Sequence, residues 1–273
     1  MLTRKLKPST FLQHVLLILM SVIAIFPLYW MVISSFKNEA EIFTASLFPA
    51  SPTFKNYLYA FTEMPIFRMM LNSFITASLL TILQLGTSIL AGYAFVRWQF
   101  RGSFLIYTIL SLSWLIPVQA IMIPNYVLIN QIGLNETLLG IVIPLAVSTF
   151  AIMSMYQSFK AFPVALIEAA RLDGESDFGI LAKIILPNMK STIASLGILL
   201  FISGWNEYLW PMLITTQMEN APIQIGLRAF VNSDENLWGS LMAATTISSL
   251  PILIIYFILR KHVIDSFVRF GIK

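Results

Sequence analysis

Apolar residues in this chain are gathered into six long runs that short polar segments separate. The runs cover about residues 11–33, 72–95, 104–123, 137–158, 192–215 and 238–259. A bilayer core about 30 Å thick is crossed by roughly 20 apolar helical residues, and in lipid a helix satisfies its own backbone hydrogen bonds. The pattern therefore predicts an all-α membrane protein with six transmembrane helices, forming a single transmembrane domain over residues 1–273.

Prolines interrupt five of the six runs, at positions 27, 117, 144, 211 and 251. Proline removes a backbone hydrogen bond and bends a helix, and packed membrane helices tolerate it because neighbouring groups satisfy the freed carbonyl. Two interpretations stay open, namely that these prolines set packing geometry or that they act as hinges.

Charge supports the membrane assignment and gives an orientation. Hydrophobic residues make up 58% of the chain and charged residues 11%, with a mean hydropathy of +0.80, whereas average soluble domains are about 25% charged. With the N-terminus in the cytoplasm, all but four of the 17 Lys and Arg fall in cytoplasmic segments, the exceptions being Lys37, Lys55, Arg68 and Arg228. Basic residues favour that side, so both termini are predicted to be cytoplasmic, and no nucleic-acid partner is predicted.

The residue types that catalysis or metal binding would need are scarce. There is no cysteine, and the two histidines, His14 and His262, lie near opposite ends of the chain. No phosphate-binding loop of the G-x-x-x-x-G-K-S/T type occurs. An intramembrane enzyme would need several ionisable groups at one depth, and Glu207 has no second carboxylate, histidine or cysteine near its depth. The sequence therefore predicts a non-enzyme with no catalytic residue, no metal site and no ATPase site of its own.

The cytoplasmic connection over residues 157–190 is long enough to fold as a helix–turn–helix. Pro163 suits a first helical turn, and Gly174 is a natural helix stop in the left-handed conformation. Ser176 and Asp177 are suited to capping a second short helix, which is predicted to end at Pro187.

The surface of this helix–turn–helix is predicted to be small and apolar. The first helix carries Ala165, Ala169 and Ala170, and the second is predicted to present Phe178, Leu181, Ala182 and Ile185. Such a surface allows close approach of another protein, which is one way to transmit a rigid-body push. From the residues alone, docking of a partner and packing on the chain's own bundle remain equal alternatives.

Several short motifs resemble one transporter family. Glu168-Ala169-Ala170, Gly174 and Ile185-Leu186-Pro187 resemble the EAA loop of binding-protein-dependent ABC import permeases. The stretch 166–174 is similar to the carbohydrate-uptake branch, in particular to maltose-type second permease subunits. Further matches lie along almost the whole chain, among them Phe26–Trp30, Gly92–Phe95, Gly204–Asn206 and Trp238-Gly239.

The resemblance implies an ABC importer permease fold and a set of partners. It implies two copies of an ABC ATPase that bind ATP and Mg, a second homologous permease in a heterodimer, an extracellular solute-binding protein, and the cytoplasmic membrane of a prokaryote. The cargo would be a di- or oligosaccharide, with glycerol-3-phosphate or a related polyol phosphate as the alternative. The residues expected to couple to the ATPase are Glu168, Ala169, Ala170, Asp173, Gly174, Phe178 and Pro187.

Polar residues inside the runs are candidates for contact with the transported molecule. The fifth run carries Trp205, Asn206, Glu207 and Tyr208, and Gln84, Gln119 and Ser113 are weaker candidates. Planar hydrogen-bonding groups beside aromatic rings suit a sugar, and ionisable residues in membrane helices usually face a cavity or a partner. The alternatives are an interfacial belt of Trp and Tyr and amides that bond neighbouring helices.

Overall fold

Helices form nearly all the regular structure of the protein in a computed structural model that describes residues 8–98, 100–231 and 237–271. The described residues contain no β-strand, so the all-α prediction is confirmed for them. In chain order the α-helices are α1 Pro8–Ser34, α2 Lys55–Glu63, α3 Ile66–Arg97, α4 Ser103–Ser113, α5 Val118–Gln131, α6 Leu138–Val142, α7 Thr149–Lys160, α8 Val164–Leu172, α9 Asp177–Gly179, α10 Leu186–Asn188, α11 Lys190–Trp205, α12 Leu209–Ile214, α13 Ile223–Ala229 and α14 Trp238–Gly271. A π-helix, Ile180–Ile185, joins α9 to α10.

Three of the described helices are long and apolar enough to cross a membrane unaided. They contain the stretches Leu12–Ser34, Ile66–Arg97 and Trp238–Lys261. Three further pairs pass the same length and composition test only together, because each is bent. The bends are 96° between α4 and α5, 48° between Leu138–Leu145 and α7, and 81° between Asp177–Asn188 and Lys190–Ile214. The described residues therefore hold three spans, or up to six if each bent pair is one span.

Prolines explain where several of the predicted helices break. The amide of Pro117 cannot bond the carbonyl of Ser113, and α4 ends at Ser113. Pro211 likewise leaves the carbonyl of Glu207 without its usual helical donor, and the predicted run 192–215 is interrupted between α11 and α12. The predicted disruption of these runs at proline is confirmed at these two breaks, and the count of six spans stays a prediction.

The chain packs as two compact units. One comprises residues 1–66 and 227–249, and the other residues 67–226 and 250–273. The single domain predicted over residues 1–273 stays a prediction.

A buried lysine organises the first unit. Lys37 is fully buried; its Nζ donates to the Ser46 carbonyl at 2.7 Å and lies 4.2 Å from the ring centroid of Trp30. The Lys37 carbonyl in turn accepts a hydrogen bond from Asn56 Nδ2 at 2.7 Å. A buried ammonium group is tolerated when it is hydrogen-bonded and lies over an aromatic face, so Lys37 ties the connection after α1 to α2.

Close helix contacts define the second unit. A Cβ on Gly92 would lie 2.9 Å from the backbone nitrogen of Tyr156, so only glycine lets α3 approach α7 at this point. Around this contact, Tyr93, Met155 and Phe159 pack in one apolar cluster. A second cluster forms around Trp210, whose Nε1 donates to the Gly140 carbonyl at 3.1 Å.

Glu136 links the α5–α6 connection to the segment after α12 in the second unit. It is the one described residue other than glycine with a positive φ, at 59°. Its Oε1 accepts hydrogen bonds from both the N–H and the hydroxyl of Thr216 at 2.6 Å, and its Oε2 accepts from the N–H of Gln217 at 3.4 Å. Desolvation acts to raise the pKa of Glu136, but these hydrogen bonds outweigh it and hold the pKa below its ordinary value of 4.5.

The lowered pKa gives a signed pH dependence. Because the folded protein binds this proton less readily than the unfolded chain, the stabilisation is complete above about pH 5 and is lost as pH falls through the lowered pKa. Glu136→Ala should lower stability by about 1 kcal/mol near neutral pH, a small value because Glu136 is half-exposed. Thermal unfolding of the purified chain in detergent at several pH values measures this difference.

Glu136→Gln is the matched control, since it keeps the shape and one acceptor oxygen but does not titrate. The stability gap between wild type and Glu136→Gln should narrow as the solution is acidified. A gap that stays constant from neutral to acidic pH would show that the carboxylate charge contributes nothing.

Candidate coupling loop and cleft

The turn after α8 is a helix stop built around Gly174. Gly174 has φ +80°, its N–H donates to the Arg171 carbonyl at 3.0 Å, and the N–H of Glu175 donates to the Ala170 carbonyl at 3.0 Å. This pair of bonds is the Schellman arrangement that satisfies the last carbonyls of a helix. The predicted left-handed stop is therefore confirmed.

The second helix of the loop starts as predicted and ends later. Ser176 caps it by accepting the N–H of Gly179 at 3.1 Å. Pro187 does not end the helix, because it sits in the first turn of α10, where its missing N–H is not needed. The helical segment runs on to Asn188 and then breaks at Met189.

The exposed surface of the loop differs from the predicted one. Leu181 and Ile185 are buried at 3% and 1% exposure, in a cluster that also holds Ala170 at 6%. Their prediction as outward-facing was wrong, because the π-helix turns these side chains into the apolar cluster. Phe178 is 72% exposed, and Glu168, Ala169, Asp173, Ala182 and Pro187 are also exposed.

The sequence reasoning missed Leu172, which is 90% exposed. At about 100° per residue, Leu172 points to the side of α8 opposite buried Ala170. Together with Phe178 it forms what we call the apolar knob, two large apolar side chains that flank the Gly174 turn. Helical periodicity counted from Ala170 is the signal that would have found it.

A charged contact fastens the second helix to the end of α3. Arg97 Nε donates to Asp177 Oδ1 at 2.5 Å, and the Tyr93 hydroxyl donates to the Asp177 carbonyl at 3.2 Å. Arg171 Nη2 lies 3.8 Å from the same Oδ1. Asp177 was predicted as a cap, but Ser176 takes that role and Asp177 holds α3. Arg97 was not predicted as a site residue, because it lies 80 residues earlier in the chain.

A cleft of about 300 Å³ opens in the second unit where several helices break. Its walls include the end of α4, the start of α5, the bend after α6 and the end of α11. Pro144 lines it, and Pro117 and Pro211 lie beside the breaks that bound it. In membrane proteins irregular backbone is tolerated where it lines a cavity or is buried in protein, and three proline-linked breaks meet around this cleft.

The cleft brings together three of the predicted polar residues, namely Gln84, Ser113 and Glu207. Gln84 Nε2 donates to the Leu145 carbonyl at 2.6 Å, Ser113 Oγ lies 3.3 Å from Thr149 Oγ1, and Glu207 Oε1 accepts the N–H of Trp210 at 3.3 Å.

Two aromatic rings of the cleft, Trp114 and Phe150, lie 6.2 Å apart between centroids. Of the described residues that line the cleft, Glu207 is the one with an ionisable side chain. The site thus offers hydrogen-bonding groups beside two ring faces.

The other predicted pathway residues lie outside this cleft lining. Trp205 is buried and stacks on Phe201 with 6.0 Å between ring centroids. Asn206 Oδ1 accepts from Gln224 Nε2 at 3.1 Å, and the Tyr208 hydroxyl donates to Met212 Sδ at 2.9 Å. Gln119 is exposed. Their contact with a transported molecule stays a prediction.

Residues 84–269 match the family described as the binding-protein-dependent transport system inner membrane component. The chain belongs to this family. It is 29% identical over 266 residues to the lactose transport system permease protein of Rhizobium radiobacter, covering 97% of both chains. It is also 28% identical over 272 residues to the sn-glycerol-3-phosphate transport system permease protein of Brucella abortus (strain 2308), covering 96% of both.

A solved structure shares the fold of this permease. It is the crystal structure of a bacterial ABC transporter involved in the import of the acidic polysaccharide alginate, with a TM-score of 0.78 and 23% sequence identity. The match covers 96% of this chain and 99% of the other. Together these comparisons confirm the predicted resemblance: the chain is a permease subunit of an ABC importer.

The Gly174 turn yields a test of the loop's geometry. Gly174→Val should disrupt the turn, since a side chain in the left-handed conformation costs about 1–2 kcal/mol and a β-branched residue is an outlier there. No heavy atom lies within 4 Å of a Cβ built at Gly174, so the cost is conformational rather than a clash. We expect membrane insertion to persist while transport and co-purification of the ATPase subunit are lost.

Gly174→Asn is the matched control, because asparagine tolerates the left-handed region better than other side chains. It should retain more transport and more bound ATPase than Gly174→Val in the same membranes. Equal activity of Gly174→Val and wild type would exclude a role for the turn in coupling.

Proposed function

We propose that this permease subunit moves a neutral sugar, a di- or oligosaccharide, across the cytoplasmic membrane of a prokaryote by alternating access. In this proposal six spans form half of the pathway, and both termini lie in the cytoplasm. A second, homologous permease completes the pathway, and an extracellular solute-binding protein delivers the sugar. The family description supports delivery by a binding protein and an inner-membrane location.

The energy for transport is supplied to this subunit by a separate ATPase. Two copies of a partner ATPase bind ATP and Mg, and one of them docks on the loop 157–190, with the apolar knob of Leu172 and Phe178 entering its groove. Large apolar side chains that are 90% and 72% exposed at a tightly built turn suit insertion into a partner's groove. The exposed motif residues Glu168, Ala169 and Asp173 surround this contact, and Gly174 sets its shape.

The observation that carries the substrate proposal is the composition of the cleft. Glu207, Gln84 and Ser113 offer a carboxylate, an amide and a hydroxyl, while Trp114 and Phe150 offer ring faces. Sugars present hydroxyl groups at their edges and apolar C–H groups on their faces, so this combination matches both kinds of surface.

A polyol phosphate is the second candidate, because relatives at 28–29% identity carry the name of sn-glycerol-3-phosphate permeases. The cleft argues against it. Its ionisable side chain is an acid, and like charges brought together in a poorly solvated site repel strongly. Among the described residues that line the cleft there is no Lys or Arg that would balance a phosphate, so the neutral sugar is preferred.

Glu207→Gln tests this preference. Glutamine keeps one acceptor oxygen but removes the charge. A hydrogen bond to a charged group contributes about 1.5–3 kcal/mol and a neutral one about 0.5–1.5 kcal/mol, so the weaker bond to the sugar should reduce its uptake by about fivefold to tenfold. The measurement is uptake of radiolabelled lactose and of sn-glycerol-3-phosphate into cells that carry the complete importer. Cells with the wild-type importer should take up lactose and should not take up sn-glycerol-3-phosphate.

Gln131→Ala serves as the control, since Gln131 is an exposed polar residue at the end of α5, outside the cleft lining, and it should leave uptake unchanged. Preferential uptake of sn-glycerol-3-phosphate by wild type would overturn the sugar assignment in favour of the second candidate.

A further inference from the structure

Helix α3 connects three places in the second unit that lie far apart in the sequence. It is a single helix over Ile66–Arg97, without a proline, and spans about 48 Å at 1.5 Å per residue. The neighbouring α4–α5, α6–α7 and α11–α12 segments are all interrupted. An uninterrupted helix is stiff along its axis, so α3 is the element of this unit best suited to carry a displacement from one end to the other.

At one end, α3 is hydrogen-bonded to Asp177, the first residue of the second loop helix. Arg97 Nε and the Tyr93 hydroxyl both donate to Asp177, one to its side chain and one to its carbonyl. The side chains of Arg97 and Asp177 are 28% and 31% exposed, and partly exposed ion pairs stabilise folding little. This contact fixes position more than it adds stability.

At the other end, α3 is hydrogen-bonded to the segment 219–223, which leads from α12 into α13. Asn72 Nδ2 donates to the Glu219 carbonyl at 2.8 Å and to the Ala221 carbonyl at 3.1 Å. Ser73 Oγ accepts the N–H of Ile223 at 2.8 Å. Asn72 and Ser73 are both buried, so water does not compete for these bonds.

Between its two ends, α3 contributes to the cleft. Gln84 lines the cleft and donates to the Leu145 carbonyl at the bend after α6. Gly204 approaches α3 so closely that a Cβ there would lie 3.2 Å from the Cα of Ala77. A shift of α3 along or about its axis therefore moves a wall of the cleft together with the segment 219–223.

We propose that α3 carries the movement of the loop helices to the cleft and to the segment 219–223, with Arg97 and Asp177 as the joint. Arg97 is a positioning residue in this account. The inference rests on the proposed docking of the ATPase at loop 157–190. Packed interiors switch between discrete arrangements rather than deforming smoothly, so loss of the joint uncouples the two ends while leaving each end folded.

The test measures movement of the segment 219–223 and does not depend on which sugar is transported. Because the chain has no native cysteine, Glu219→Cys gives a single thiol at an exposed position of that segment. Its labelling rate with a membrane-impermeant maleimide is measured in the assembled importer, before and after trapping of the ATPase with ATP and vanadate. Trapping should change the labelling rate in the otherwise wild-type background.

Adding Arg97→Glu should reduce that change by about fivefold or more while the ATPase still co-purifies. Adding Asp177→Arg to the same chain reverses both charges and should restore much of the response. Arg171→Glu is the matched control, since Arg171 also approaches Asp177 but sits on α8, and it should reduce the response less than Arg97→Glu.

Several outcomes would overturn the proposal. One is a change in labelling rate on trapping that is as large in the Arg97→Glu chain as in its parent. Others are a change that the charge reversal does not restore, or one that Arg171→Glu reduces as much as Arg97→Glu does. The last is a parent chain whose labelling rate does not change on trapping. Loss of the ATPase from Arg97→Glu alone would make Arg97 a docking residue instead. Retention of the ATPase by a chain with both Leu172→Asp and Phe178→Asp would instead refute the proposed docking at the loop, on which this inference rests.

Discussion

In a bilayer, a backbone carbonyl that loses its helical partner must be buried in protein or face a cavity, and this constraint organises the second unit of the chain. Pro117 and Pro211 each remove a helical donor in an apolar run, so that the Ser113 carbonyl accepts from the N–H of Ile116 at 3.2 Å instead. Pro144 lies in the bend after α6. The resulting breaks bound one cleft. Ser113 and Glu207 reach that cleft where interrupted helices end, and Gln84 reaches it from the uninterrupted α3.

The same unit contrasts interrupted helices with one that is continuous. α3 has no proline, and glycine lets it approach α7 at Gly92. In a transport subunit some parts must hold their geometry while others shift. The continuous α3 suits the first role, and the interrupted helices beside it suit the second. At the end of α3 that carries Arg97, the Gly174 turn and the Arg97–Asp177 contact fix how the apolar knob is presented.

Local features of the loop could be predicted from the sequence. The left-handed stop at Gly174 and the cap at Ser176 depend on residues within one turn of each other, and both were found. Which side of the loop helices faces outward could not be predicted in the same way. Ala170, Leu181 and Ile185 are buried because they pack in a cluster with residues of α3, α7 and α11, which lie elsewhere in the sequence.

The cleft shows the same division between local and long-range information. Its polar residues stood out in the sequence because apolar runs seldom contain them, and prolines within the runs hinted at breaks. Nothing local showed that Gln84, Ser113 and Glu207 share a cavity while Trp205 packs on Phe201. The pairing of Arg97 with Asp177 depends on how α3 and the loop are folded together, and spacing in the sequence carries no sign of it.

The apolar knob of Leu172 and Phe178 is the proposed docking site of the ATPase subunit. Since the chain has no native cysteine, Leu172→Cys and Phe178→Cys can each be cross-linked in the assembled importer with a short thiol- and photo-reactive reagent. Both thiols should give a covalent adduct with the ATPase subunit, whereas Phe104→Cys, an equally exposed position at the start of α4, should not. Adducts absent from both knob positions, or equally abundant at position 104, would contradict the account.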